Sequence, residues 1–169
     1  MLRALLLLIS MSAPAFAGGH AMEPVAPGTK VAFFGITYLD ESLQRETAGA
    51  EDEEARVAML EEMVRTRFAE EGIEFLDTAP VAEEIDRIVN PAKCYGCDAR
   101  AAAKLGAEYS LVGEVQKVSN LILSMNLQMR DATTGETVRG RVVDIRDNSD
   151  EAWARGMRYI LKTTFFREE

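Results

Sequence analysis

One histidine and two cysteines are all that this 169-residue chain offers to the chemistry that most often marks an enzyme. The histidine, His20, stands in a stretch from Gly18 to Gly28 that carries Gly and Pro without periodicity and reads as a flexible leader. Mechanisms that need an imidazole base inside a folded site are therefore set aside. No Ser/His/Asp set, phosphate loop or dinucleotide glycine pattern occurs, and Gly35-Ile36-Thr37 lacks the further glycines that such a pattern needs. No apolar run reaches the about 20 residues of a membrane-spanning helix. Positive charge is scarce as well, with 19 Lys and Arg against 28 Asp and Glu, a net charge of −9. Such a surface repels phosphate backbones and anionic head groups, which disfavours nucleic acid and membrane surfaces as partners. It suits a soluble periplasmic protein, or one that meets a basic partner such as a cytochrome.

What is present begins with an export signal. Arg3 is a short basic start, Ala4 to Ile9 an apolar stretch, and Ala15-Phe16-Ala17 the small-x-small pattern of signal peptidase. Cleavage after Ala17 assigns residues 1–17 to the signal peptide, 18–29 to the leader and 30–169 to a single α/β domain. The mature chain has 152 residues, enough for one substantial core. No cysteine follows the cleavage site, so a lipid anchor is not expected.

Periodicity sets out the elements in order. Lys30 to Thr37 is a short apolar run, expected as a buried first strand, and Asp40 to Gly49 a polar loop. Val57, Leu60, Val64 and Phe68 repeat at helical spacing, predicting a long helix over Asp52–Glu71 with Gly72 as its C-cap. Ile73–Leu76 is a second strand. Pro80 opens a helix to about Val89 with Val81, Ile85 and Ile88 inward, and Asn90-Pro91 breaks it. A third helix spans Asp98–Leu105. Strands follow at Tyr109–Val118, Leu121–Arg130 and Thr137–Arg146. In the middle one Leu123, Met125, Leu127 and Met129 alternate with Ser124, Asn126, Gln128 and Arg130, as in a half-buried strand. Ser149 caps a last helix with Trp153, Met157, Ile160 and Leu161 inward. The expected fold is mixed α/β: a sheet of about five strands, two N-terminal strands with helical crossovers and a C-terminal antiparallel meander, packed by helices.

Cys94-Tyr95-Gly96-Cys97 is the most specific chemical motif. Outside the reducing cytosol the two thiols form one disulfide, either a structural staple or a redox pair acting through Cys94. Three features favour the staple. A helix and Asn90-Pro91 precede the motif where thioredoxins have a buried strand. Asp98 opposes a thiolate, with Lys93 a partial offset. No proline follows Pro91 to clamp a substrate. Zinc is not expected from one Cys-x-x-Cys, nor haem attachment with Asp98 in place of a histidine. No metal or other cofactor is assigned. The acids Glu51-Asp52-Glu53-Glu54 lack the alternation and glycine of a calcium loop and read as a helix start favoured by the dipole. Asp40, Glu41 and Glu46 are discounted in the same way. Lys117-Val118-Ser119-Asn120 is expected to be a hairpin turn, or a bulge in one long strand. Lys117, Ser119 and Asn120 are also candidates for partner binding from a rigid edge. Arg146-Asp147-Asn148-Ser149-Asp150 is a strand-to-helix cap whose Arg146, Asn148 and Asp150 are candidates of the same kind.

Leu105-Gly106-Ala107-Glu108, the strand ending Gly113-Glu114-Val115, and the hairpin Asp131-Ala132-Thr133-Thr134-Gly135 resemble a pattern of bacterial envelope proteins. These include the amino-terminal domain of the translocation protein TolB and the curli secretion lipoprotein CsgG. More closely, Cys94-x-x-Cys97, Val115 to Leu123 and Arg146 to Gly156 are similar to a family of small secreted proteobacterial proteins of unknown function. That resemblance implies a periplasmic accessory role, beside a quinoprotein dehydrogenase or another envelope system, with an envelope or periplasmic protein as partner. It brings no established activity.

Overall fold

The four apolar residues of the alternating strand all point one way and set the core. In the computed structural model, which describes residues 25–42, 50–119 and 121–167, Leu123, Met125, Leu127 and Met129 are fully buried. They lie on β4 (Ile122–Asp131), the fourth strand of a five-stranded sheet ordered β2-β1-β3-β4-β5. β1 (Lys30–Asp40) lies between β2 (Glu74–Phe75) and β3 (Tyr109–Ser119), parallel to both. β4 pairs antiparallel with β3 and with β5 (Thr137–Ile145). The mixed sheet and its C-terminal meander are as expected from the sequence.

Two helices cover the apolar face. α1 (Ala50–Glu70) contributes Leu60, Val64 and Phe68, and α4 (Asp150–Ile160) contributes Trp153, Met157 and Ile160. Each such side chain stabilises the fold by about 1.5–3 kcal/mol relative to exposure. Ser149 caps α4 by accepting the Ala152 N–H at 3.3 Å. Gly156 lets α4 approach closely, since a Cβ there would stand 3.0 Å from Ile145 Cγ2. On the opposite face α3 (Cys97–Lys104) sits on small residues, with Ala102, Ala32, Ala107 and Ala132 in a second cluster.

Three boundaries differ from the sequence reading. β1 continues to Asp40, because the irregularity between Phe33 and Ile36 restores pairing with β3 as far as Asp40↔Lys117. Asp40 therefore ends a strand rather than opening a loop. The helix expected over Pro80–Val89 is a 3-10 turn at Ala79–Val81 followed by a short α2 (Ala82–Asp86). Val81 is buried, but Ile85 and Ile88 are only half-buried, so too little apolar surface is covered to extend it. The second strand shrinks to two residues. After α4 the chain widens into a π-helical turn at Leu161–Phe165. Residues 1–24, which hold the expected signal peptide, His20 and most of the leader, lie outside the described residues.

Candidate functional site

Two polar clusters interrupt the apolar packing, and each holds residues singled out in the sequence. The first is an ion cluster at the β3–β4 end of the sheet. Lys117 stands on β3 opposite Asp40 and points inward. Its Nζ donates to Glu53 Oε1 at 3.0 Å and lies 3.5 Å from Asp40 Oδ2. Glu53 comes from the first turns of α1, and its Oε1 also accepts from Asn148 Nδ2 at 3.1 Å. Asn148 in turn accepts the Trp153 indole N–H at 2.9 Å. Beside them Arg56 Nε donates to Asp150 at 2.7 Å and ties α1 to the start of α4. Lys117 and Glu53 are both buried. A buried pair resists separation because each charge is costly to leave alone.

The charges hold one another ionised. Burial alone would raise the Glu53 carboxyl, but the neighbouring Tyr38 hydroxyl and the donors Lys117 and Asn148 outweigh it and keep the carboxyl below its ordinary range. Burial likewise opposes the ammonium of Lys117, yet Glu53 and then Asp40 lift it above its usual value. Asp40 is lowered against its own desolvation by Ser42, through side chain and backbone, and by Lys117. The Tyr38 hydroxyl is buried against Glu53 and helps to hold the carboxylate ionised, although the pair lies outside ordinary hydrogen-bond geometry. Burial, followed by Glu53, keeps the phenol protonated far beyond the usual tyrosine range.

Above this base the β3–β4 hairpin is apolar and open. Leu121 is 71% exposed, Val118 51% and Ile122 46%. Ser119 Oγ accepts the Leu121 N–H at 3.3 Å, and pairing Ser119↔Ile122 makes the connection a tight turn with an irregular register beside Lys117. Asn120 lies outside the described residues. Arg146 is exposed just beyond the last residue of β5, where Ile145 pairs with Leu123.

The second cluster surrounds the cysteines, which are joined as a disulfide. Cys97 is the first residue of α3, and the loop before it turns through left-handed Tyr95 (φ 55°) and Gly96 (φ 83°). Asp98, fully buried, accepts from Ser110 Oγ at 2.8 Å and from Arg130 Nη1 at 2.7 Å. The other end of the Arg130 guanidinium reaches the Ala92 carbonyl at 3.1 Å, which Gln128 also caps. Asn90 accepts the Ala92 N–H and donates to Glu114, itself ion-paired with Lys93 at 2.9 Å. These bonds clamp the loop onto the polar face of β3 and β4 and leave Tyr95 outside, 97% exposed.

The arrangement disfavours a thiolate at Cys94. Its sulfur lies 3.7 Å from Asp98 Oδ1, and Lys93, the cation nearest in sequence, is held by Glu114 instead. Cys94, Cys97 and Asp98 lie as close together as the ligands of a metal site, but both sulfurs are bridged and the Asp98 oxygens are occupied by Ser110 and Arg130. That donor set does not fit a cation while the bridge is intact.

The structure thus joins Lys117 and Asn148 on one carboxylate and places Asp150 beside them, while Ser119 and Arg146 stay at the surface. Nothing in the sequence marks out Glu53, Asp40 or Tyr38 as members of this cluster. Glu53 is one of four consecutive acids, and no local signal separates it from its neighbours. Among the described residues no helix is long and apolar enough to cross a membrane.

Fold and site together define a mixed α/β domain with rigid polar supports beneath exposed loops. Over residues 29–165 the chain belongs to the family described as "Protein of unknown function (DUF2380)". No curated protein matches it. Among solved structures it is similar to the LpoB C-terminal domain from Escherichia coli, with 15% identity, a TM-score of 0.48, and coverage of 74% of this chain and 87% of that one. The PelC dodecamer from Paraburkholderia phytofirmans gives 14% identity and a TM-score of 0.48 over 82% of this chain and 89% of that one. TolB from Acinetobacter baumannii gives 12% identity and a TM-score of 0.47 over 84% of this chain and 29% of that one.

Proposed function

We propose that this protein is a non-enzymatic accessory or binding protein of the periplasm, exported by removal of residues 1–17, that contacts another envelope protein through its β3–β4 hairpin tip. The observation that carries this reading is the pairing of an exposed apolar turn, Val118, Leu121 and Ile122, with a buried ion cluster directly beneath it. Solvated turns are ordinarily polar, and an apolar tip held on a rigid base loses little entropy on docking. Arg146, and Ser119 at the turn, add polar groups at its rim; Lys117, Asn148 and Asp150 act through their support of the base. The family resemblance favours a partner in a quinoprotein dehydrogenase or other envelope system. The acidic surface speaks against nucleic acid.

The test is site-specific photocrosslinking in the periplasm. A photoreactive residue at position 121 is expected to capture an envelope protein that the same residue at Glu83, exposed on α2, does not. A charge at the rim, Val118→Glu, should remove that product while leaving the fold intact. Equal products from positions 121 and 83, or none from 121, would reject the tip as the contact. N-terminal sequencing of the exported protein should begin at Gly18; retention of residues 1–17 would contradict the cleavage.

A further inference from the structure

The outer edge of β5 has no strand beside it among the described residues. Its pairing with β4 is regular from Met129↔Arg139 to Leu123↔Ile145, and the irregularity in register lies outside that span, toward Thr137. Six residues, Gly140–Ile145, therefore present about 20 Å of edge, on which alternate N–H and C=O groups face outward. Exposed edges are commonly blunted by proline, a bulge or charged side chains. Proline and a bulge are absent from this span, and its charges are Arg141 and Asp144, with Arg139 just before it.

Beside the edge, β5 and α4 enclose an open groove of about 430 Å³ lined by Arg141, Val143, Arg155, Gly156 and Tyr159, with Asp144 as the one acid. Arg141 is already oriented. It donates to Tyr159 Oη at 3.0 Å, and its guanidinium lies 5.5 Å from the centre of that ring. Arg155 is exposed on the facing side of α4. The local charge is opposite to that of the molecule. At the groove two guanidiniums, Arg141 and Arg155, face one carboxylate, Asp144, in a chain of net charge −9. An acidic segment is repelled by most of the surface and drawn to this strip.

We propose that β5 is a strand-addition site for an extended acidic segment of another protein, which joins the sheet as a sixth strand with carboxylates at alternate positions meeting Arg141 and Arg155. Main-chain hydrogen bonds to the free edge hold the segment, and the period-two placement of its acids gives selectivity. Its other face rests on the exposed Val142 and Val138. The proposal is independent of the hairpin tip, and either can fail alone.

The probe is a labelled nine-residue peptide alternating Val and Glu, titrated into the exported chain by fluorescence anisotropy. Saturable binding tighter than about 1 mM is expected. It should weaken as salt rises and fall about tenfold or more in the Arg141→Glu/Arg155→Glu variant, whose changes are on exposed side chains. Methylation of alternate peptide nitrogens should abolish binding, separating strand addition from simple charge attraction. Trp153 fluorescence verifies that the variant is folded. The proposal is overturned by equal binding of a control peptide that alternates Val and Lys, by indifference to the two substitutions or to N-methylation, or by no saturation. It is also overturned if the edge is occupied by a second copy of the chain, seen as a dimer that crosslinks through position 142, or if anionic phospholipid vesicles compete for it.

Discussion

Replacing Lys117 by Met should both destabilise the protein and weaken its loss of stability in acid. In the native structure one ammonium lies between two carboxylates, 3.0 Å from Glu53 and 3.5 Å from Asp40. Removing it leaves two desolvated like charges without their cation. Breaking a buried pair from one side costs about 3–5 kcal/mol. Glu53 keeps its Asn148 donor and Asp40 keeps Ser42, which places Lys117→Met toward the lower end of that range. Glu53→Gln retains an acceptor oxygen and leaves Lys117 its Asp40 contact, so its cost should be about 1–3 kcal/mol. The double change Glu53→Leu/Lys117→Met removes both charges and should cost clearly less than the sum of the singles. Urea unfolding followed by the fluorescence of Trp153, the single tryptophan, reads all of these.

The sign of the pH response follows from the directions of the shifts. Glu53 and Asp40 are depressed on folding, so their contribution is present above their unfolded values and is lost as pH falls through the folded ones. Lys117 is raised, so its contribution is complete below its unfolded value of 10.5 and is lost only as pH rises through the higher folded value. Wild-type stability should therefore be level between these limits and fall on either side. In Lys117→Met the carboxyls lose their cation but keep Ser42 and Asn148, so they are depressed less on folding and the variant should lose less stability than wild type on acidification. A Lys117→Met stability within about 1 kcal/mol of wild type, an additive double change, or equal loss of stability by both proteins on acidification would show that the ion cluster does not hold the sheet end in this way.

Three further outcomes are expected. Replacing both Cys94 and Cys97 by serine should cost about 2 kcal/mol, the chain-entropy value for so short a loop, because the Asp98 and Arg130 clamp remains; loss of folding at room temperature would show that the bridge does more than restrict the loop. Titrated against glutathione, the pair should stay oxidised to below about −300 mV, since the Asp98 carboxylate 3.7 Å from Cys94 Sγ gives a thiolate no stabilisation on reduction; a value near −180 mV, as in disulfide isomerases, would support a redox role instead. Gly113→Ala should destabilise by about 1–3 kcal/mol, because a Cβ there would stand 2.7 Å from Ile36 Cγ1 where β1 shifts register. A change under about 0.5 kcal/mol in urea unfolding would mean that β1 yields readily.

The sequence alone determined the succession of elements and most of the core. Strict alternation on β4 named its buried face, the 3.6-residue repeat named Leu60, Val64, Phe68, Trp153 and Met157, and Ser149 and Gly72 marked helix ends. Burial and capping act over a few residues, so they leave a local trace. The second helix is shorter than its spacing predicts, because apolar spacing says nothing about whether a neighbouring surface exists to receive it. The polar sites belong to tertiary structure. Glu51 to Glu54 are alike in sequence, and only the angular placement of α1 against β1 and β3 turns Glu53 inward to meet Lys117, 64 residues away, and Asn148, 95 residues away. Lys117, placed by the sequence at a displayed edge, is buried by the same meeting. Nor does any short motif tell an edge strand from a central one. That β5 ends the sheet, and carries its arginines into an open groove, follows from pairing order, which the long-range hydrogen bonds of the folded chain decide.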